Sequence, residues 1–181
     1  EELLQYAGRC GLPLPEREAQ ALLSVSEGWI AMIYLMFRAY AQTGVWRFDA
    51  KGMGALMEQV MFEPLDERRR FFLLDICMAE AFTAEQAAFV WREPDADALL
   101  HDLTHNNAFI IESSPGVYRC HHMLRQLLRR KFALLPQSAQ ADACGRLGSW
   151  YERTGEYLTA AELFRQAGDW DGLLRAAARP S

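Results

Sequence analysis

The chain has 181 residues with 19 basic and 24 acidic side chains, a formal net charge of −5 and a pI near 5.4, a balance that argues against a nucleic-acid footprint over the whole surface. Hydrophobic residues make up 51% and aromatics 12%, enough to bury a core in one domain or two small ones. No apolar run reaches the ~20 residues of a membrane span and no basic-then-apolar leader is visible, so a cytoplasmic chain with no membrane partner is expected.

Residues 1–10, EELLQYAGRC, suit a short amphipathic helix closed by Gly11 and Pro13. Pro15 opens a second, with Ala19, Leu22 and Leu23 apolar, and Ser24 to Gly28 punctuates it. Trp29 to Phe37 is apolar on nearly all sides, the pattern of a helix buried in the middle of a bundle. Glycines 44, 52 and 54 loosen the next link, and Leu56 to Phe62 predicts another short helix before Pro64.

A second unit begins near Pro64, where Asp66 is placed to cap a helix whose Phe71, Phe72, Leu74, Ile76 and Met78 supply core while Arg68 to Arg70 face solvent. Thr83 with Gln86 three residues on forms a capping-box pattern for the next helix. Pro94 precedes a third helix, Asp95 to His105, with Leu99, Leu100 and Leu103 directed inward. From Asn107 to Phe132 the hydrophobic period switches from two to about 3.6. Ala108 to Ile111 and Val117 to Cys120 read as strands, with turn chemistry in Ser113-Ser114-Pro115-Gly116 between them. The helix that follows buries Met123, Leu124, Leu127, Leu128 and Phe132 and presents Arg125, Arg129, Arg130 and Lys131. Three helices, a hairpin and a helix are the order of a winged helix.

Past Pro136 small residues with scattered aromatics predict two helices joined at Gly155, resembling one helical-hairpin repeat of a solenoid. The fold class expected is therefore mainly α: a helical, lid-like domain over 1–62, a winged-helix domain with a two-stranded hairpin over 63–135, and the start of a TPR-like repeat over 136–181. One repeat cannot bury both faces, and the chain lacks an initiating Met, so it is expected to belong to a longer protein.

Phosphate loops and the common hydrolase and zinc-protease signatures are absent, so no enzymatic activity and no catalytic residue is expected. The cysteines, Cys10, Cys77, Cys120 and Cys144, form no CxxC pair and read as buried free thiols of a reducing compartment. His101, His105, His121 and His122 read as partly exposed polar residues rather than metal ligands. In a DNA-binding winged helix the third helix enters the major groove, yet here it carries Asp95, Asp97 and Asp102 and no Lys or Arg. Direct DNA binding by this segment is not expected.

Several motifs run in a shared order: Ser26-Glu27-Gly28-Trp29; Glu58-Gln59-Val60 with Pro64-Leu65 and Arg70-Phe71-Phe72-Leu73-Leu74; Leu99-Leu100 with Asn106-Asn107-Ala108-Phe109-Ile110; Tyr118-Arg119-Cys120-His121 with Met123-Leu124 and Leu127-Leu128; and Trp150-Tyr151 with Gly155 and Ala160-Ala161. In this the chain resembles the middle of the LuxR-family, MalT-type ATP-dependent transcriptional regulators, which are STAND ATPases. The resemblance implies a control region, without a cofactor of its own, in a parent that binds ATP and ADP. Its partners would be the parent's ATPase domain, which carries the P-loop, and an inducer or inducer protein received by the repeats. The parent would bind DNA through a separate helix-turn-helix and could oligomerise. In related STAND proteins a histidine at the start of the helix after the wing lies near the phosphates of bound ADP. His121 matches that position, although many members read Met-His-Asp where this chain reads Cys120-His121-His122. The alternative reading is a protein-binding scaffold of winged helix and helical repeats with no nucleotide role.

Overall fold

The computed structural model describes residues 2–26, 30–46, 54–55, 57–93, 95–106 and 110–179. Packing divides the chain into two units, Glu1–Pro64 and Leu65–Ser181.

In the first unit, α1 (Glu2–Arg9), α2 (Glu16–Ser26) and α3 (Ile30–Thr43) are followed by a π-helical turn over Glu58–Phe62. Ala7, Ala19, Leu22, Met32, Ile33, Met36 and Phe37 are buried. The α3 helix is not covered on all sides, as its sequence suggested, because Ile30 and Tyr34 are 79% and 51% exposed. Its buried residues Met32, Ile33, Met36 and Phe37 recur on one helical face. An aromatic group ties the end of α3 back to the start of the unit: Trp46 stacks on Tyr40 at 4.2 Å, meets Phe37 edge-on at 5.5 Å, and donates through Nε1 to the Pro13 carbonyl at 3.2 Å. The expected start of this helix at Trp29, the glycine link at 52 and the first residue of the helix expected from Leu56 lie outside the described residues.

The second unit opens with α4 (Glu67–Ile76), which Asp66 caps by accepting from the Arg69 amide at 2.8 Å. Phe72, Leu73, Leu74 and Ile76 are buried, but Phe71, expected in the core, is 48% exposed. In the run FFLL every residue is apolar, so the pattern alone does not say which falls on the solvent side. Nor do the arginines of this helix all face water. Arg68 pairs with Asp95 at 2.7 Å and Arg69 with Asp102 at 2.6 Å, fastening α4 to the third helix.

Next come β1 (Phe82–Thr83), α5 (Ala84–Trp91), α6 (Ala96–Asn106), β2 (Ile110–Ser114), β3 (Val117–Cys120) and α7 (His122–Phe132). Thr83 accepts from the Gln86 amide at 3.1 Å and so starts α5. The sheet has three strands in the order β1-β3-β2, all antiparallel, rather than the two expected. Phe82 pairs with Tyr118 and Thr83 with Val117 on one side of β3, and Ile110 with Cys120 on the other. Residues 108 and 109 of the expected first wing strand lie outside the described residues, while β2 continues through Ser114. The turn is therefore Pro115-Gly116, with Gly116 at φ 75, the proline-then-glycine pair that a type II turn calls for.

The chain ends in α8 (Gln137–Thr154), α9 (Tyr157–Ala167) and α10 (Trp170–Ala177). Gly155, at φ 85, closes α8, and the Glu156 amide returns to the Tyr151 carbonyl at 2.8 Å. Phe164, 1% exposed, is the knob these helices share. A Cβ at Gly148 would stand 3.0 Å from its ring and one at Gly172 2.8 Å, so α8 and α10 approach it by dispensing with side chains. The helices also pack on the winged helix within this unit, through Phe89 on Trp150 at 5.4 Å and Arg146 on Asp75 at 2.6 Å. Of the four thiols, Cys77, Cys120 and Cys144 are buried, whereas Cys10 is exposed, contrary to expectation, because α1 is a short helix with most of its surface in solvent.

Candidate functional site

The strand-to-helix junction after the wing places His121. Cys120 ends β3 with its side chain in the core, where burial pushes the thiol up to about 12. His121 then takes an extended backbone (φ −51, ψ 137) and stands at the N-cap of α7 without lending its side chain to the cap. The first turn is closed from the Arg125 amide to the His121 carbonyl at 2.9 Å, with Leu124, Leu127, Leu128 and Phe132 anchoring the helix in the core. The imidazole is thus held at the positive end of a helix of 11 residues by packing further along it.

Around this point His122 lies with its ring 4.5 Å from that of His121, at 39°. Both rings are half-buried, and Nδ1 of His121 is shielded from solvent. Arg125 lies one turn on, with Nη1 3.7 Å from Oε1 of Glu80. No acidic residue occupies the first turn of α7. Helix-start amides, imidazole donors and one guanidinium together favour an anion, and a phosphate oxygen matches that donor set.

The other two histidines are a separate pair on α6, with rings stacked 4.0 Å apart and Nδ1 of His105 2.9 Å from the His101 carbonyl oxygen. Among the described residues no group of three or more His, Cys, Asp or Glu is arranged to hold a metal. Two acidic side chains of the third helix are engaged with α4: Asp95 with Arg68, and Asp102 with Arg69, which also pairs with Asp66. No helix among the described residues is long and apolar enough to cross a membrane.

Residues 57–141 match the family model of the MalT winged helix domain. This segment is a MalT-type winged helix domain. The match takes in α4 to α7, all three strands and His121. Over a longer span the chain is similar to the HTH-type transcriptional regulator AlkS of Ectopseudomonas oleovorans, 24% identical over 166 residues, covering 87% of this chain and 18% of that protein. AlkS of Pseudomonas putida gives the same identity and coverage. The serine/threonine-protein kinase PknK of Mycobacterium tuberculosis is 24% identical over 176 residues, which are 92% of this chain and 16% of the kinase. The chain spans less than a fifth of the length of these curated relatives. No solved structure matches it.

Sequence reasoning singled out His121 but not its surroundings. Glu80, which faces Arg125, lies 45 residues away in the chain, in a stretch with no motif of its own. The partners of Arg68 and Arg69 were equally unmarked, since a charge on a helix face carries no signal of what packs against it.

Proposed function

We propose that this chain is the control segment of an ATP-dependent transcription regulator of the LuxR type, a STAND ATPase in which the MalT-type winged helix closes over nucleotide held by an ATPase domain. In this reading residues 1–62 act as a lid, 63–135 as the nucleotide-facing winged helix and 136–181 as the first repeat of an inducer sensor, within a cytoplasmic protein. The observation that carries it is the placement of His121 at an uncapped, positively polarised helix start beside Arg125. An imidazole N–H donating to an ADP phosphate there would favour the closed, resting state, because an ATPase domain that swings away loses the contact. The segment itself does no chemistry and reads no DNA; promoter recognition belongs to another part of the parent.

The test is the full-length parent carrying His121→Ala, assayed for promoter activation without inducer and for ADP retained through purification. Constitutive activity with lost ADP is the expected result. Inducer-dependent activity with ADP retained would refute the sensor role. It would leave the scaffold reading, which one feature favours: α10 presents Trp170 and Leu174, 63% and 67% exposed, on a face suited to a protein partner.

A further inference from the structure

Away from the wing, α6 carries two exposed imidazoles one turn apart, His101 and His105. Side chains at i and i+4 share a helix face, with their Cβ atoms about 5–6 Å apart. Here the rings stack, 4.0 Å between centroids and 19° between planes. The contact between Nδ1 of His105 and the His101 carbonyl oxygen, at 2.9 Å, fixes the tautomer as well as the ring. A carbonyl oxygen can only accept, so Nδ1 carries the proton and the lone pair of the neutral ring stands on Nε2. A backbone carbonyl holding one ring N–H is the support that metal-ligating histidines receive.

The surroundings favour a cation. His105 lies in the last turn of α6, where the helix dipole is negative. Asp97 precedes His101 by one turn and extends the same face, and α6 contains no Lys or Arg. The arginines that reach α6 from α4 are matched by carboxylates, Arg68 by Asp95 and Arg69 by Asp102. Two imidazolium rings stacked at 4.0 Å would repel, whereas one shared ion takes a lone pair from each.

We propose that His101 and His105 chelate a divalent transition-metal ion of the zinc or nickel class, with water in the remaining positions. Their spacing is that of the two helix histidines that hold zinc in metalloproteases. Imidazole suits these ions, whereas Mg2+ and Ca2+ call for oxygen ligands. The site binds and does not hydrolyse. In the protease motif the residue after the first histidine is the general base, but here it is Asp102, held by Arg69 at 2.6 Å. Among the described residues no third His, Cys, Asp or Glu joins the two rings, so the ion sits in an open clamp of moderate affinity. Its charge stands on the third helix, which has no basic side chain of the Lys or Arg type, and it does so whether or not His121 senses nucleotide.

The test is calorimetry with Zn2+ on the chain carrying Cys10→Ser, which removes the exposed thiol as a competing ligand. Mg2+ serves as the hard-ion counterpart, and Ni2+ is added while the imidazole signals are followed by NMR. Expected is saturable binding of one Zn2+ per chain, on the order of 0.1 mM or tighter, with no Mg2+ binding at that concentration. Ni2+ should broaden the His101 and His105 signals ahead of those of His121 and His122. His101→Gln and His105→Gln, both at exposed positions, should each weaken Zn2+ about tenfold or more while circular dichroism is kept. No saturable Zn2+ binding would overturn the proposal, as would undiminished binding by either variant or equal binding of Mg2+. First broadening at His121 and His122 would overturn it in favour of the pair beside the wing.

Discussion

Asp75 should make this chain lose stability as the pH rises through the weakly acidic range. The carboxylate sits between α4 and α8, 2.6 Å from Nη2 of Arg146, with the two side chains 21% and 13% exposed. Arg146 divides its charge, because Asp142 takes Nη1 on the same guanidinium. Burial therefore outweighs attraction, and with Asp142 opposing and Arg92 assisting ionisation, the Asp75 carboxyl is raised from 3.8 to about 6. The folded state then holds a proton that the unfolded chain releases at lower pH, so the contribution is complete below pH 3.8 and is lost as pH climbs to about 6. A rise of roughly two units at 1.36 kcal/mol each gives ~3 kcal/mol, with little discount for screening at this burial. Denaturant unfolding of the chain and of Asp75→Asn, at intervals between about pH 4 and pH 7, isolates the effect, because every other group titrates in both. The difference in stability should shift by up to ~3 kcal/mol in favour of the variant as pH rises. Parallel curves, or an NMR titration of the Asp75 carboxyl near 4, would show that the ion pair dominates and refute the reasoning.

Two further expectations follow from packing. Gly148→Ala should destabilise the chain by roughly 1–3 kcal/mol, less up to about 1 kcal/mol of helix propensity, because its Cβ would meet the Phe164 ring at 3.0 Å, whereas Gly145→Ala, on the same helix with nothing within 4 Å, should stabilise it. Equal melting shifts for the two would refute the close approach. A thiol reagent at mildly alkaline pH should label Cys10 rapidly and the other three only on unfolding, since burial raises Cys77 and Cys120 to about 12 and Cys144 to about 11. Fast native labelling of a second thiol would contradict the burial.

What the sequence made legible was local. Asp66 and Thr83 could be read as caps because a cap is decided within three residues, and a turn could be read within Ser113 to Gly116, though the strand running through Ser114 confines it to Pro115-Gly116. The wing was visible because the hydrophobic period changes there. The β1 strand was not, since two residues cannot show an alternation and Phe82–Thr83 becomes a strand only by pairing with Tyr118 and Val117. The exposure of Phe71 and Ile30 was hidden for the opposite reason: in uniformly apolar runs the pattern lacks a polar side to mark solvent. At the candidate site His121 could be picked out by resemblance, but Glu80, which faces the neighbouring Arg125, could not, since the two lie 45 residues apart in the chain.

The distribution of charge around the third helix differs from that of a duplex reader. A duplex reader keeps its cations free at the surface, where each neutralised phosphate releases counterions. Here Arg68 and Arg69 hold Asp95 and Asp102 on the third helix, Arg146 holds Asp75, and Arg125 faces Glu80. Each of these pairs joins different elements, so the charges fix helices to one another, and DNA approaching α6 would have to compete with Arg68 and Arg69 while meeting carboxylates it repels. Individually the exposed pairs are worth little. Their arrangement nonetheless ties α4 to α6, while the start of α7, with His121, is positively polarised. An anion would meet helix-start amides at α7, whereas at the first turn of α6 it would meet the Asp97 carboxylate.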